Sequence, residues 1–272
     1  MTMLKRTITS AGIIAITAGF LALRLVDNRL FDIFLLAMAL IGTFEYHRAL
    51  GEKTKRAQEI ICYAFSVSAF AVAVFCDRFL FALILVFVAA NLLLLLIKVG
   101  KYTLESVALS VLCGFYPTLI LVALHFLNVS GHYSNLILAF VITPFADAGA
   151  YLIGSAIGGK KLCPNISPKK TISGAIGGLI GAIIVSVGVY FIFAETIISV
   201  WADVCIYSAI GLVCGVLTEV GDLVESRIKR EIGIKDMGNL LPGHGGMLDR
   251  IDGLMYAAIA LYLFFCNILP IL

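Results

Sequence analysis

Nine stretches of this chain are apolar over lengths that match, or nearly match, the thickness of a bilayer: Ile8 to Leu25, Leu30 to Tyr46, Ile60 to Phe75, Phe79 to Ile97, Leu104 to Phe126, Leu136 to Ile157, Ile172 to Phe193, Val200 to Val220 and Leu254 to Leu272. A helix of about 20 apolar residues covers the ~30 Å hydrocarbon core, and within it every backbone N–H finds a partner that lipid cannot supply. The runs are continuously apolar and lack the strict alternation of a barrel strand, which excludes a membrane β-barrel. Charged residues make up 14% of the 272 residues and hydrophobic ones 61%, against about 25% charged in a soluble domain. Too few polar side chains exist to cover such a surface, so a water-soluble enzyme is excluded. The expected fold is an all-α integral membrane protein of about nine transmembrane helices.

The placement of charge orients these spans. With the N-terminus cytoplasmic, alternate loops on that side collect every Lys and Arg of the 20 except Arg24, Arg29 and Arg78, the asymmetry that cytoplasmic loops carry. The C-terminus then lies on the outer side. Lys5 and Arg6 precede the first run, but residues 1–30 contain no Ala-x-Ala cleavage site, so an uncleaved first span is expected. A net charge of +3 without a basic tail argues against a nucleic-acid partner. The seven cysteines are scattered, mostly inside apolar runs, with no C-x-x-C pair; they read as small buried residues, not as a metal site or disulfide framework. The expected organisation is helices 1–4 over residues 1–103 and helices 5–9 over 104–272, the latter carrying two polar cytoplasmic loops, 158–171 and 221–253.

Those loops hold the residues that carry chemistry. The first, GGKKLCPNISPKKT, packs four lysines with two prolines and cannot be helical throughout. In the second, Asp222, Glu225, Ser226 and Lys229 form one stripe on a helix continuing the eighth span; a solvated helix end with i,i+4 salt links is the plainer alternative. Pro242, Gly243, His244, Gly245 and Gly246 then form a turn whose backbone N–H groups are expected to be free to bind an anion, although such a turn is also a simple return into the last span. Asp249 and Asp252, the facing Asp222, and the cations Lys229, Arg230 and Lys235 supply the parts for a metal and a polyphosphate. Phosphoryl and nucleotidyl transfers need charge neutralisation more than covalent help, and an oxygen-only ligand set favours Mg²⁺ over Zn²⁺. Asp147 lies within the sixth span, where an ionised carboxylate costs at least about 2.5 kcal/mol unless a polar cavity or partner receives it. It is a site candidate, with a helix-packing hydrogen bond as the alternative. Glu45, near the cytoplasmic end of the second span, is expected at the membrane interface, with a place lining the same cavity as the alternative, and His47, His125 and His132 are assigned no role. Glycines 174, 177, 178 and 181 are spaced for close helix packing.

The segment SRIKREIGIKDMGNLLPGHGGMLDRID, Ser226 to Asp252, resembles the defining motif of the CDP-diacylglycerol synthases (phosphatidate cytidylyltransferases). Gly221-Asp222-Leu223, Asp147-Ala148-Gly149-Ala150-Tyr151 and Ile166-Ser167-Pro168-Lys169-Lys170-Thr171 resemble further family segments, so the likeness runs through the second half of the chain. The family continues Lys-Thr with Trp, an acid or amide, then Gly, where this chain has Ile172, Ser173 and Gly174. The resemblance implies transfer of CMP from CTP to phosphatidic acid in phospholipid biosynthesis, by a multi-pass homodimer of the inner (plasma) membrane with its active site facing the cytoplasm. It further implies that Asp222 and Asp249 hold Mg²⁺, with a second cation as an open option. Lys229, Arg230, Lys235 and His244 would act on the phosphates. Ser167, Lys169, Lys170, Thr171, Ser226, Asp147, Arg250 and Asp252 would contact substrate. A transporter with basic cytosolic loops, or a CTP-dependent enzyme acting on another lipid phosphate, remains the alternative.

Overall fold

A computed structural model describes residues 3–97, 100–130, 133–194, 196–243 and 245–269, with side chains from residue 7 onward. Among the described residues, nine α-helices run in chain order: α1 (Met3–Leu23), α2 (Asn28–Leu50), α3 (Arg56–Phe75), α4 (Leu80–Ile97), α5 (Leu104–Val129), α6 (Tyr133–Ile157), α7 (Ile172–Phe193), α8 (Val200–Ile232) and α9 (Leu248–Tyr262), the last continued by a π-helical turn, Leu263–Ile268. Eight of them are long and apolar enough to cross a membrane, and α1 is apolar over Thr7–Leu23. Within the described residues, each expected apolar run thus coincides with a helix. Local chemistry fixes several starts: Asp27 accepts from Arg29 N (2.8 Å), Thr171 from Gly174 N (3.0 Å) and Ser199 from Ala202 N (3.3 Å), each satisfying a donor that the first helical turn leaves open.

Between α6 and α7, the lysine-rich segment expected to be a loop is a short antiparallel hairpin of β1 (Lys161–Cys163) and β2 (Ser167–Thr171), with Lys161 opposite Thr171 and Cys163 opposite Ser167. Helix α8 continues well past the expected end of its apolar run, to Ile232, and stops on Gly233 in the left-handed region (φ 82°). Gly233 N bonds the Arg230 carbonyl and Ile234 N that of Lys229, closing off the last turn.

The chain forms two compact units, residues 1–125 with 236–250, and residues 126–235 with 251–272. The division between these units falls late in α5. Side-chain bonds explain why most of α5 belongs with the first four helices: Gln58 Nε2 donates to Ser106 O (2.8 Å), Ser66 and Thr118 hydroxyls pair at 2.7 Å, and His125 Nδ1 meets Asp32 Oδ1 at 2.9 Å. Phe65 stacks on Phe87 (centroids 4.1 Å apart), with Phe115 against both. In a hydrocarbon solvent such polar bonds and close packing hold helices together, since apolar burial alone does not.

In the second unit, α6 and α7 meet backbone to backbone. A Cβ on Gly177 would come 2.5 Å from the Gly149 carbonyl oxygen, and one on Gly181 2.5 Å from that of Phe145. Only glycine fits there, as the spacing predicts. Large apolar side chains such as Phe81, Leu96, Ile192 and Trp201 stay exposed, as surfaces facing lipid do.

Candidate active site

The centre of the second unit's polar cluster is Lys170, carried on β2 immediately before the cap of α7. Its Nζ lies 2.6 Å from Glu219 Oε2 and 2.7 Å from Asp222 Oδ2. Burial works against its charge, but the Asp222 and Glu219 carboxylates outweigh it and hold the ammonium above the ordinary lysine range. Glu219 and Asp222 are three apart on α8 and therefore share a face. Ser226, one turn on, donates to Asp222 Oδ1 at 3.2 Å, so both oxygens of Asp222 are held.

A cavity of about 520 Å³ opens beside this cluster, lined by Asp147, Tyr151, Lys161, Lys169, Lys170, Thr171 and Glu219 together with the glycines of the α6 and α7 ends. Asp147 reaches it from α6, whose interior Pro144 removes one helical hydrogen bond a turn earlier. The hairpin fixes the lysines. Ile172 N donates to the Lys160 carbonyl (3.0 Å), Ser173 Oγ donates to the Gly158 carbonyl (2.5 Å), and Thr171 Oγ1 caps α7. Ser173, where the chain departs from the family segment, thus ties the start of α7 to the hairpin's entry. Asp252 lies within electrostatic range of Asp222, Lys229 and Asp147. Its backbone carbonyl sits where a Cβ on Gly221 would come within 2.6 Å.

In the first unit, residues 236–250 fold around two carboxylates. Asp249 Oδ2 accepts from Met237 N and Gly246 N, both at 2.8 Å. Glu45, from α2, accepts Met247 N on Oε1 (2.9 Å) and Leu248 N on Oε2 (3.0 Å), capping α9 with a side chain some 200 positions away in sequence. Gly243 and Gly245 both take φ 84°, the left-handed conformation that lets the turn close with a Leu241 N to Gly245 O bond (2.9 Å). Of the turn amides expected to be free, that of Gly246 serves Asp249, and those of Met247 and Leu248, which follow the turn, serve Glu45. Glu45, expected at the interface, is buried at 3% exposure.

Of the residues singled out in the sequence, Asp147, Lys169, Lys170 and Thr171 share the cavity of the second unit, and Asp222 and Ser226 join them through Lys170. Ser167 stands at the opposite end of β2, paired with Cys163. Lys229 is buried against Glu225 (3.1 Å) on its own helix, an i,i+4 link, but a buried one and not the solvated one of the plainer alternative. Arg230 is exposed and donates to the Ile234 carbonyl (3.2 Å), and Lys235 and Arg250 are exposed. Asp249 belongs to the first unit; His132 and His244 lie outside the described residues. Sequence reasoning missed Glu219 and understated Glu45. A carboxylate inside an apolar span was the available signal for both, the one already used for Asp147.

A multi-helix membrane protein with a lysine- and carboxylate-lined cavity at a helix–hairpin junction is the class that fold and site define. The chain belongs to the cytidylyltransferase family, whose model matches residues 4–268. It is 42% identical over 132 residues to a phosphatidate cytidylyltransferase of Brucella suis biovar 1 (strain 1330), covering 48% of this chain and 47% of the relative. It is 45% identical over 125 residues to a protein of that name from Staphylococcus aureus (strain COL), covering 46% and 45%. The chain thus matches about half the length of these curated relatives.

Proposed function

We propose that this protein transfers CMP from CTP to phosphatidic acid, giving CDP-diacylglycerol and pyrophosphate, at the cytoplasmic face of the inner membrane. The observation that carries this reading is the cavity in which Lys169, Lys170 and Thr171 face Asp147 and Glu219, with Asp222 bound to Lys170. In the reaction a phosphate oxygen of the lipid forms a bond to the α-phosphorus of CTP. The bond from that phosphorus to the α–β bridging oxygen breaks, and its electron pair leaves with pyrophosphate. A phosphate monoester is already largely ionised near neutral pH, so no strong base is required of the chain. The difficulty is bringing two anions together. Lys169 and Lys170 neutralise them, and Glu219 and Asp222 fix the Lys170 ammonium at the cavity edge. Tyr151 lines the cavity and is 74% exposed on α6, giving a lipid phosphate an approach from the side while its acyl chains remain in hydrocarbon.

The donor set suits a hard divalent cation. Asp147, Glu219, Asp222 and Asp252 offer oxygen ligands only, the choice of Mg²⁺. Bound there, Mg²⁺ would add charge neutralisation on the phosphate oxygens. Asp222 is the proposed ligand in this unit, and Asp249 is proposed on the strength of the motif. A second cation and a homodimeric state are part of the same proposal.

The assay is formation of CDP-diacylglycerol from labelled CTP and phosphatidic acid by the purified protein in detergent or nanodiscs. Activity that requires Mg²⁺, vanishes with a chelator and is lost in Asp222→Asn is the expected result. Full activity in Asp222→Asn would remove that residue from the site. Labelling of a different lipid phosphate in place of phosphatidic acid would replace the substrate.

A further inference from the structure

Three side chains that the proposed reaction does not use converge in the first unit. His47 lies in the last turn of α2, Cys62 in the first half of α3 and Cys113 in α5; one ring nitrogen and the two sulfurs all lie within 4.8 Å of one another. Both cysteines are fully buried, and His47 is 7% exposed. The sequence gives no hint of this, since the residues are 15 and 51 positions apart, and only the packing of three helices brings them together.

The histidine is held in the manner of a ligand. Its Nδ1 is 3.0 Å from Thr54 Oγ1, and its Nε2 is buried without a hydrogen-bond partner. An orphaned buried nitrogen costs on the order of a hydrogen bond. With Nδ1–H donating to Thr54, the lone pair on Nε2 is the one available to a cation, and a partner on the other nitrogen is what fixes the tautomer of metal-bound histidines. The bonds from the thiols to backbone carbonyls are weak, Cys62 Sγ to Ser110 O at 3.2 Å and Cys113 Sγ to Thr43 O at 3.7 Å.

We propose that His47, Cys62 and Cys113 form a zinc site that ties α2, α3 and α5 together. Two sulfurs and an imidazole select a borderline or soft ion and discriminate against Mg²⁺. Charge selects among the soft ions: Zn²⁺ with two thiolates and a neutral imidazole sums to zero, whereas a cuprous ion leaves one uncompensated negative charge in dry surroundings. Ser110 Oγ, 3.6 Å from the Cys62 sulfur, is a further oxygen donor at the cluster for the fourth position that zinc prefers. Binding displaces the two thiol protons to solvent, and no electron is transferred.

Metal analysis of protein purified under reducing conditions without chelator tests this directly. One zinc per chain is expected in the wild type, and none in Cys62→Ser or Cys113→Ser. Co²⁺ added to zinc-free protein should give a sulfur-to-cobalt charge-transfer band that both variants lose, with Thr54→Val lowering Zn²⁺ affinity about 10–100-fold. If a serine variant does not fold, the wild-type measurement still decides. Reduced wild-type protein that takes up neither Zn²⁺ nor Co²⁺ overturns the proposal, as does a cobalt–sulfur band surviving both substitutions. A native Cys62–Cys113 disulfide, read as a mass two hydrogens lower, overturns it as well.

Discussion

Lys170 is pulled two ways: burial opposes its charge, while Asp222 and Glu219 retain it. The retained charge wins, so the folded pKa lies above the unfolded one. Its contribution to stability is complete below the ordinary lysine pKa of about 10.4 and fades only as pH rises through the higher folded value. Any pH dependence of activity near neutrality must therefore come from another group, and Lys170→Arg should leave the shape of the pH–rate profile unchanged. Lys170→Met strands two carboxylates beside each other. Because Asp222 is about one-third exposed, we expect a stability loss in the lower part of the ~1.5–3 kcal/mol range for a charged hydrogen bond. Activity should fall about 10²–10³-fold, as when one anion-stabilising donor is removed. Thermal unfolding and the CMP-transfer assay read the two effects separately. Glu45 presents a different case, because its two oxygens accept two backbone amides at the start of α9. Glutamine keeps the shape but turns one acceptor into a donor facing an N–H. Glu45→Gln should cost about 1–3 kcal/mol and speed hydrogen exchange at Met247 and Leu248. Unchanged exchange at both amides would show that the cap is not what orders the turn.

Between helices, the contact of α6 with α7 has no slack. A methyl group at Gly177 would meet the Gly149 carbonyl oxygen at 2.5 Å and Ile153 Cβ at 2.6 Å, backbone and a branched side chain that cannot swing away. Gly177→Ala should therefore destabilise by about 1–3 kcal/mol and, by shifting the wall that carries Asp147, reduce activity. Gly188 lies in the same helix with open space around it, so Gly188→Ala should be neutral or stabilising by up to ~1 kcal/mol. Thermal melts of the pair separate packing from helix propensity. These glycines were legible in the sequence because close helix approach needs small residues at helical spacing, and the spans were legible because a bilayer tolerates only long apolar runs. The hairpin was not, since two short lysine-rich strands show no alternation of apolar and polar residues. Glu219 to Lys170, Glu45 to Leu248 and His47 to Cys113 were hidden for a common reason: each pairing joins residues distant in sequence, and only the completed packing selects the partner. The extension of α8 was half visible. Its 33 residues span about 50 Å at 1.5 Å each, more than the ~30 Å of hydrocarbon. The helix is thus long enough for the polar stripe beginning at Asp222 to lie beyond the hydrocarbon, where its polarity would place it.

For the molecule as a whole, the charge asymmetry makes a claim about sidedness that one helix suffices to test. If α7 crosses the bilayer once, the hairpin before it and the segment 196–199 after it face opposite compartments. The hairpin carries Lys160, Lys161, Lys169 and Lys170, while residues 194–199 carry no Lys or Arg, so we propose that the hairpin faces the cytoplasm. The assignment agrees with the proposed chemistry, because CTP is cytosolic and the lysines are the groups that would meet it. Asn165 at the hairpin tip and Ile198 beyond α7 are both exposed and accept a cysteine without disturbing the core. With Cys76, Cys163, Cys205 and Cys266 replaced by serine to remove the native thiols that are not buried, a membrane-impermeant maleimide should label Ile198→Cys on intact cells and Asn165→Cys only in inside-out vesicles. The reverse pattern would place the lysine-lined cavity on the side that lacks CTP. The cytidylyl-transfer reading could not survive that result, whatever the resemblance of the motif.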